Sequence, residues 1–260
     1  MRLDLCSQIA LNNVPEEFYN PRTAVERSER TRLEKISTDI FPSVERGAVS
    51  IADVIEHEIK LKYKEGKNCV LGFGTGLSLT PVFTELIRRH KEEGLSFKNV
   101  VVFNAYEYFP LNKDSQNSTL NQLKVRFLDH IDIEEKNIFA PDGTISQEEV
   151  YDYCRTYEDK IKSLGGLDIV VLGIGRKGNM ASNEPGSGLT SATRLILVDA
   201  TSREEMSMSF GVNEQVPPCS ITMGVETILS ARKVFITAWG EDKADIIRQA
   251  VEGKMSDSVP

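Results

Sequence analysis

Val70-Leu71-Gly72-Phe73-Gly74-Thr75-Gly76-Leu77-Ser78 is the stretch on which the reading of this chain turns. Cys69 to Phe73 is an uninterrupted apolar run, the pattern of a strand covered on both faces. A Gly-Thr-Gly turn follows, with Ser78 just beyond it. From Pro81 to His90, Val82, Phe83, Leu86 and Ile87 recur at helical spacing. Strand, glycine turn and helix in that order present backbone N–H groups and a helix N-terminus to an anion, usually a phosphate. The turn is not a P-loop, because no Gly-Lys-Ser/Thr follows, and it is not GxGxxG, because the third glycine is missing. Taken alone, it is equally compatible with a tight turn that only lets a helix pack on a sheet.

The same alternation extends in both directions. Apolar runs at Val100–Asn104, Leu167–Ile174 and Lys233–Trp239 read as further buried strands, with shorter strands at Ile138–Phe139 and Thr193–Val198. Helical periodicity covers Val44–Tyr63, Ser118–His130 and Asp242–Glu252. Ser146 and Glu149 form a capping-box pattern opening a helix to Leu164. Thr201–Glu204 starts a short helix, and Ile221–Gly224 leads into another through Ala231. Strands alternating with helices predict an α/β fold, a three-layer sandwich around a mostly parallel, Rossmann-like sheet. Residues 1–40, with Pro15, Pro21 and weak periodicity, read as an N-terminal extension carrying one short helix near Thr23–Ile36. Ligands of open α/β sheets bind at the C-terminal ends of the strands. Four loops meet there: 74–78, 104–108, 175–184 and 240–243. Their convergence predicts one small-molecule site built from residues far apart in sequence.

Composition narrows the function. The 260 residues suffice for one large α/β domain, and 40% hydrophobic with 27% charged content excludes disorder as the main state. A net charge of −8 argues against a nucleic-acid or anionic-membrane surface. No apolar window is long enough for a membrane span, and the N-terminus lacks the apolar core of a signal peptide. Cys6, Cys69, Cys154 and Cys219 form no CxxC, which suits reduced cytoplasmic thiols rather than disulfides or zinc. His57, His90 and His130 sit on or at the ends of predicted helices, as surface residues rather than ligands. No metal is implied.

At the same four loops the chain resembles the glucosamine-6-phosphate deaminase family, with its wider relatives the sugar-phosphate isomerases and 6-phosphogluconolactonases. The resemblance rests on Leu71–Ser78, Phe103-Asn104 with Glu107-Tyr108, His130–Ile133, Gly173–Gly175 and Asn183–Pro185. It continues through Gln215–Pro217, Thr222–Val225 and Val251–Gly253. These segments keep the family's order over roughly residues 45–255. The resemblance implies a sugar-phosphate isomerase/CoA-transferase-like fold spanning 41–260, and no cofactor. It also implies a hexosamine 6-phosphate ligand and a homo-oligomer. Family members continue past the point where this chain ends at Ser256–Pro260. The expectation is a truncated chain or the front of a longer polypeptide, with an unfinished sheet edge that favours association.

The family reaction needs a phosphate holder, a carboxylate base and a histidine relay flanked by carboxylates. By resemblance Gly74, Thr75, Gly76, Leu77, Ser78 and Gly175 with Lys243 hold the phosphate. The family also uses an arginine where Met208 stands here, for which Arg203 or Arg194 could compensate. The chemical half departs from the pattern. The base position of Asn-x-Asp-Glu-Tyr holds Tyr106, and a phenol is a poor base at neutral pH. In Gly-x-Gly-x-Asp-Gly-His the Asp is replaced by Lys177 and the His by Asn179, which cannot shuttle a proton. Glu184 survives from the relay. Glu107 is the best substitute base, although its place beside Tyr106 on a strand end points its side chain the other way. The expectation is therefore a sugar-phosphate-binding protein of amino-sugar metabolism with weak or absent deaminase activity. The competing readings are an active isomerase or lactonase-like hydrolase using Glu184 or Glu107, and a structural oligomerisation domain.

Overall fold

A computed structural model describes residues 23–112, 114–207, 210, 215–256 and 259. The first described helix is α1 (Ala24–Thr31), capped by Thr23 and Glu26 in a reciprocal box. It ends several residues short of the predicted Ile36. The segment after it runs along the C-terminal part of the chain, where Lys35 N–H reaches Val251 O and its ammonium reaches Gly253 O.

Five strands form the main sheet: β1 (Cys69–Phe73), β2 (Val100–Asn104), β4 (Ile138–Phe139), β5 (Ile169–Gly173) and β8 (Lys233–Thr237). Their order is β4-β2-β1-β5-β8 and every pairing is parallel. Residues alternate between two cores, as a period-2 strand dictates. Leu71, Phe73, Val100 and Val102 face α2 (Val44–Lys64) and α3 (Thr80–Glu93), meeting Ile51, Ile55, Phe83 and Leu86. Val70, Val101, Phe103, Val170 and Leu172 face the other way. There they meet Tyr157 and Ile161 of α5 (Val150–Ser163) and Ile228 of α7 (Val225–Leu229). Burying these two layers supplies the hydrophobic stabilisation, at about 25 cal/mol per Å² of apolar surface. This is the expected three-layer α/β architecture.

A second sheet departs from the predicted reading. β3 (Tyr106–Phe109), β6 (Arg194–Leu197) and β7 (Cys219–Thr222) form an antiparallel sheet in the order β3-β7-β6. Two of these segments were expected as a strand-end loop and a helix approach, and Thr193–Val198 as another strand of one mostly parallel sheet. β3 and β7 are buried along most of their length and β6 is partly exposed, and these short segments lack the continuous apolar runs of the main sheet. The Ser146–Glu149 box also differs. Ser146 Oγ donates to the Glu149 carboxylate at 2.7 Å, and α5 begins only at Val150 without a side-chain cap. The remaining helices are α4 (Thr119–Arg126), α6 (Ala200–Ser207) and α8 (Ala244–Glu252). No helix among the described residues is long and apolar enough to cross a membrane. Cys69, Cys154 and Cys219 are free thiols, and no cluster of metal-ligating residues occurs among the described residues. His90 and His130 bond to backbone carbonyls of Leu95 and Val125.

Candidate functional site

The turn after β1 is fixed from both sides. Gly74 N–H donates to Val171 O at 3.1 Å, and Phe73 O accepts from Ala105 N–H at 2.8 Å. The N–H groups of Thr75 and Gly76 have no protein acceptor among the described residues. A short 3₁₀ turn, Leu77–Leu79, carries the chain straight into α3, and the Leu77 side chain points to solvent.

The turn has two flanks. Toward β5 and β8, Ser78 Oγ lies 3.1 Å from the buried Thr237 hydroxyl, and the Trp239 indole donates to Ser78 O at 2.7 Å. Gly173 makes room for this approach, since a Cβ there would lie 2.4 Å from Ser78 Oγ. Toward β2, Thr75 Oγ1 lies 3.1 Å from the Tyr106 hydroxyl, and Arg126 at the end of α4 donates to Thr75 O at 2.8 Å. Burial pushes the Tyr106 phenol above its ordinary value of 10, so it stays protonated at neutral pH.

Glu107 points away from this cluster. It is buried and accepts from Ser118 Oγ at 2.7 Å, Thr119 N–H at 2.9 Å, Leu120 N–H at 3.2 Å and Tyr108 N–H at 2.9 Å. Its charge thus sits on the orphan donors that open α4. Asn104 binds Thr119 Oγ1 at 2.8 Å and Tyr106 O at 3.0 Å, tying β2 to the same helix.

The loop after β5 folds back on itself. Gly175 N–H donates to Asn179 O at 2.9 Å, and a Cβ on Gly175 would lie 1.9 Å from Asn179 Oδ1, so a larger residue there would displace the Asn179 amide. Lys177 forms an ion pair with Asp199, just before α6, and holds that carboxyl down at about 2 against an ordinary 3.8. Arg176 reaches Asp242 at 3.8 Å, joining this loop to the 240–243 loop. Ala181 adopts a left-handed conformation with φ of 51°. Beyond it the chain is pinned to the second sheet, with Ser182 on Thr222 and Ser220 and Asn183 on Met223 O. Arg194 donates to Asn183 Oδ1 at 2.9 Å and to Ser187 Oγ at 2.9 Å. Both carboxylate oxygens of Glu184 are buried with no hydrogen-bond partner. An unpartnered buried carboxylate is costly and marks a place where a donor is missing.

Lys243 is half-buried at the N-cap of α8, and its ammonium makes no ion pair among the described residues. Arg203 on α6 has a buried, unpartnered Nε. Met208 lies outside the described residues. A cavity of about 710 Å³ lies elsewhere, between α5 and β6 beside Tyr151 and Glu158, and shares only Arg194 with the residues above.

Residues 42–260 match the family model of glucosamine-6-phosphate isomerases and 6-phosphogluconolactonases. The chain belongs to this family. It is 56% identical over its whole length to a glucosamine-6-phosphate deaminase-like protein of Bacteroides thetaiotaomicron, and it spans only 39% of that protein's length. It is 36% identical to glucosamine-6-phosphate deaminase 1 of Bacillus subtilis over 76% of this chain and 81% of that protein. A monomeric glucosamine-6-phosphate deaminase superposes with a TM-score of 0.78 at 34% identity, over 84% of this chain and 88% of that one. A 6-phosphogluconolactonase from Thermotoga maritima shares the fold at a TM-score of 0.60 and 16% identity, over 79% and 88% of the two chains.

Within this family member, the segments that follow β1, β2, β5 and β8 lie at the C-terminal ends of those strands, although most of the predicted 104–108 loop is strand β3, and side-chain contacts join Thr75 to Tyr106, Ser78 to Thr237 and Arg176 to Asp242. Sequence reasoning did not single out Arg126, Thr237 or Trp239. Thr237 and Trp239 ended a predicted strand, and their position at its C-terminal end was the available signal. Arg126 carried no such signal, because its helix had to be placed against the β1 turn first.

Proposed function

We propose that this chain binds a phosphorylated hexose or hexosamine at the strand ends and has weak or absent deaminase activity. The observation that carries the proposal is the contrast between the two sets of groups. The turn retains unclaimed Thr75 and Gly76 N–H donors, the Ser78 hydroxyl and the unpaired Lys243 ammonium, which suit a phosphate. The proton-transfer positions hold groups that transfer no proton at neutral pH. Tyr106 is a protonated phenol, Lys177 is committed to Asp199, and Asn179 is an amide folded over Gly175.

In this reading the phosphate end fixes the ligand while Gly74, Gly76 and Gly175 allow its close approach. Glu107 acts as a positioning residue for α4, since all four of its donors belong to the fold. The protein would act as a ligand-binding member of amino-sugar metabolism, assembled with other copies and located in the cytoplasm. Thermal stabilisation by hexose and hexosamine phosphates, followed by an ammonia-release assay with glucosamine 6-phosphate, tests it. Stabilisation without ammonia is expected. Robust turnover would overturn the loss of chemistry, and no stabilisation by any of these phosphates would overturn binding, leaving a structural oligomerisation domain.

One observation favours a second reading. The Glu184 carboxylate is buried and unpartnered, as expected of a group awaiting a substrate donor. An isomerase or lactonase-like hydrolase could use it as an acid or base. Turnover of a sugar phosphate or its lactone that disappears in Glu184→Gln would establish that reading.

A further inference from the structure

Trp239 is the only tryptophan in the chain. Its indole N–H donates to Ser78 O at 2.7 Å. Thr237, two residues earlier, reaches the hydroxyl of the same serine at 3.1 Å. The chain at the end of β8 thus grips Ser78 twice, once by its side chain and once by its backbone. The indole is itself seated. Its six-membered ring lies against Gly47 in the first turn of α2, where a Cβ would come within 2.6 Å of Cη2 and 3.0 Å of Cζ3, with Phe41 Cδ2 at 3.3 Å. Gly47 is buried within the helix and is not among the glycines of positive φ. Alanine would be the better helix former at such a position. The glycine is therefore explained by the ring it accommodates and not by a special backbone conformation.

The half-buried indole is a rigid wedge, with its ring on α2 and its one polar atom on the turn. A phosphate is held best by donors that are fixed before it arrives, because less ordering then remains to be done on binding. We propose that Trp239 is a positioning residue that holds Ser78 in the place from which its hydroxyl meets the ligand phosphate. This rests on the phosphate-binding reading above. The indole N–H is spent on Ser78 O, so the residue acts through the serine and not on the ligand. The same wedge makes the turn depend on Gly47, a residue of α2 that belongs to none of the strand-end loops.

Glucose 6-phosphate is the probe, titrated into the full chain at pH 7. With one tryptophan, indole emission reports Trp239 without a label. Glucose 6-phosphate is expected to change that emission saturably, with the same midpoint as calorimetry, while glucose leaves it unchanged. Trp239→Phe keeps an aromatic ring without the N–H and is expected to weaken glucose 6-phosphate binding about fivefold, the scale of one neutral hydrogen bond. In a Ser78→Ala background the same replacement is expected to cost less than about twofold, because the hydroxyl it positions is gone. Gly47→Ala displaces the ring from outside the site and is expected to weaken binding about threefold, an effect absent in the Trp239→Phe background, where the smaller ring leaves room. If Trp239→Phe does not fold, the wild-type emission and Gly47→Ala decide. Calorimetric saturation with unchanged emission overturns the assignment. So does unchanged affinity in Trp239→Phe or Gly47→Ala. A Trp239→Phe loss that is equal with and without the Ser78 hydroxyl also overturns it, and leaves Trp239 a packing residue only. Failure of the wild type to bind glucose 6-phosphate overturns the phosphate reading beneath it, and this assignment falls with that reading.

Discussion

The Ser78 flank and the Thr75 flank of one turn have gone different ways. On the Ser78 flank, the Thr237 hydroxyl and Trp239 indole converge on one residue, and Gly173 clears the space. Every group there is a donor or a small residue, and the unpaired Lys243 belongs to the neighbouring loop. On the Thr75 flank and in the loop after β5, the titratable groups include a protonated phenol, a committed lysine, a guanidinium and the buried, unpartnered Glu184 carboxylate. Holding an anion requires only fixed donors. Moving a proton requires a group whose pKa lies near the working pH. Under the proposed reading the first flank meets its requirement, and on the second only Glu184 is a candidate to meet its own.

The largest effect that could break this contrast is a gain of chemistry. Replacing Tyr106→Asp, Lys177→Asp and Asn179→His together is expected to raise ammonia release from glucosamine 6-phosphate at least ~100-fold over the wild type, the lower range for a positioned acid or base. Failure to gain activity in a folded triple variant would place the defect elsewhere. Next in size are the phosphate groups. Ser78→Ala and Lys243→Ala are each expected to weaken glucose 6-phosphate binding by about 10-fold or more by calorimetry, as for lost hydrogen bonds to a charged group. Unchanged affinity in both would remove the phosphate assignment from this flank.

Glu107 tests whether the remaining carboxylate of the base region is structural. Glu107→Gln keeps the shape and leaves several buried donors facing a neutral amide. A loss of about 1–3 kcal/mol is expected, seen as a fall of several degrees in melting temperature. Binding measured well below that temperature should stay within about threefold. A stable variant with altered catalysis would instead make Glu107 a catalytic group.

The main sheet was legible because Cys69–Phe73, Val100–Asn104 and Ile169–Gly173 are buried on both faces and read as continuous apolar runs. Their C-terminal ends pointed to the candidate site, since backbone topology alone places loops there. The second sheet was not legible. Tyr106–Phe109 and Cys219–Thr222 are short, polar-alternating segments whose pairing joins residues over a hundred positions apart. Ser146 and Glu149 illustrate a different limit: the motif forms its side-chain contact, yet the helix starts only at Val150, three residues later than a Ser146 cap predicts. Arg126 shows the same limit at the site. Its position depends on Glu107 anchoring α4 and on α4 meeting the β1 turn, neither of which is a local pattern.

The smallest expected effect concerns the loop latch. Asp199, held near 2 by Lys177, has a folded pKa below its ordinary 3.8. A depressed carboxyl contributes stability that is fully present above its unfolded pKa and is lost as pH falls through the folded one. Wild type and Lys177→Gln should therefore differ slightly in melting temperature above about pH 4 and converge toward about pH 2. A difference that persists undiminished at pH 2 would assign the Lys177 contribution to another contact.

The most direct test joins the two flanks in one experiment on the unaltered chain. Glucose 6-phosphate and glucosamine 6-phosphate are titrated against thermal unfolding, and ammonia release is followed in the glucosamine 6-phosphate samples. The account predicts concentration-dependent stabilisation by at least glucose 6-phosphate and no ammonia above the uncatalysed background. Sustained ammonia release by the wild-type chain would contradict it.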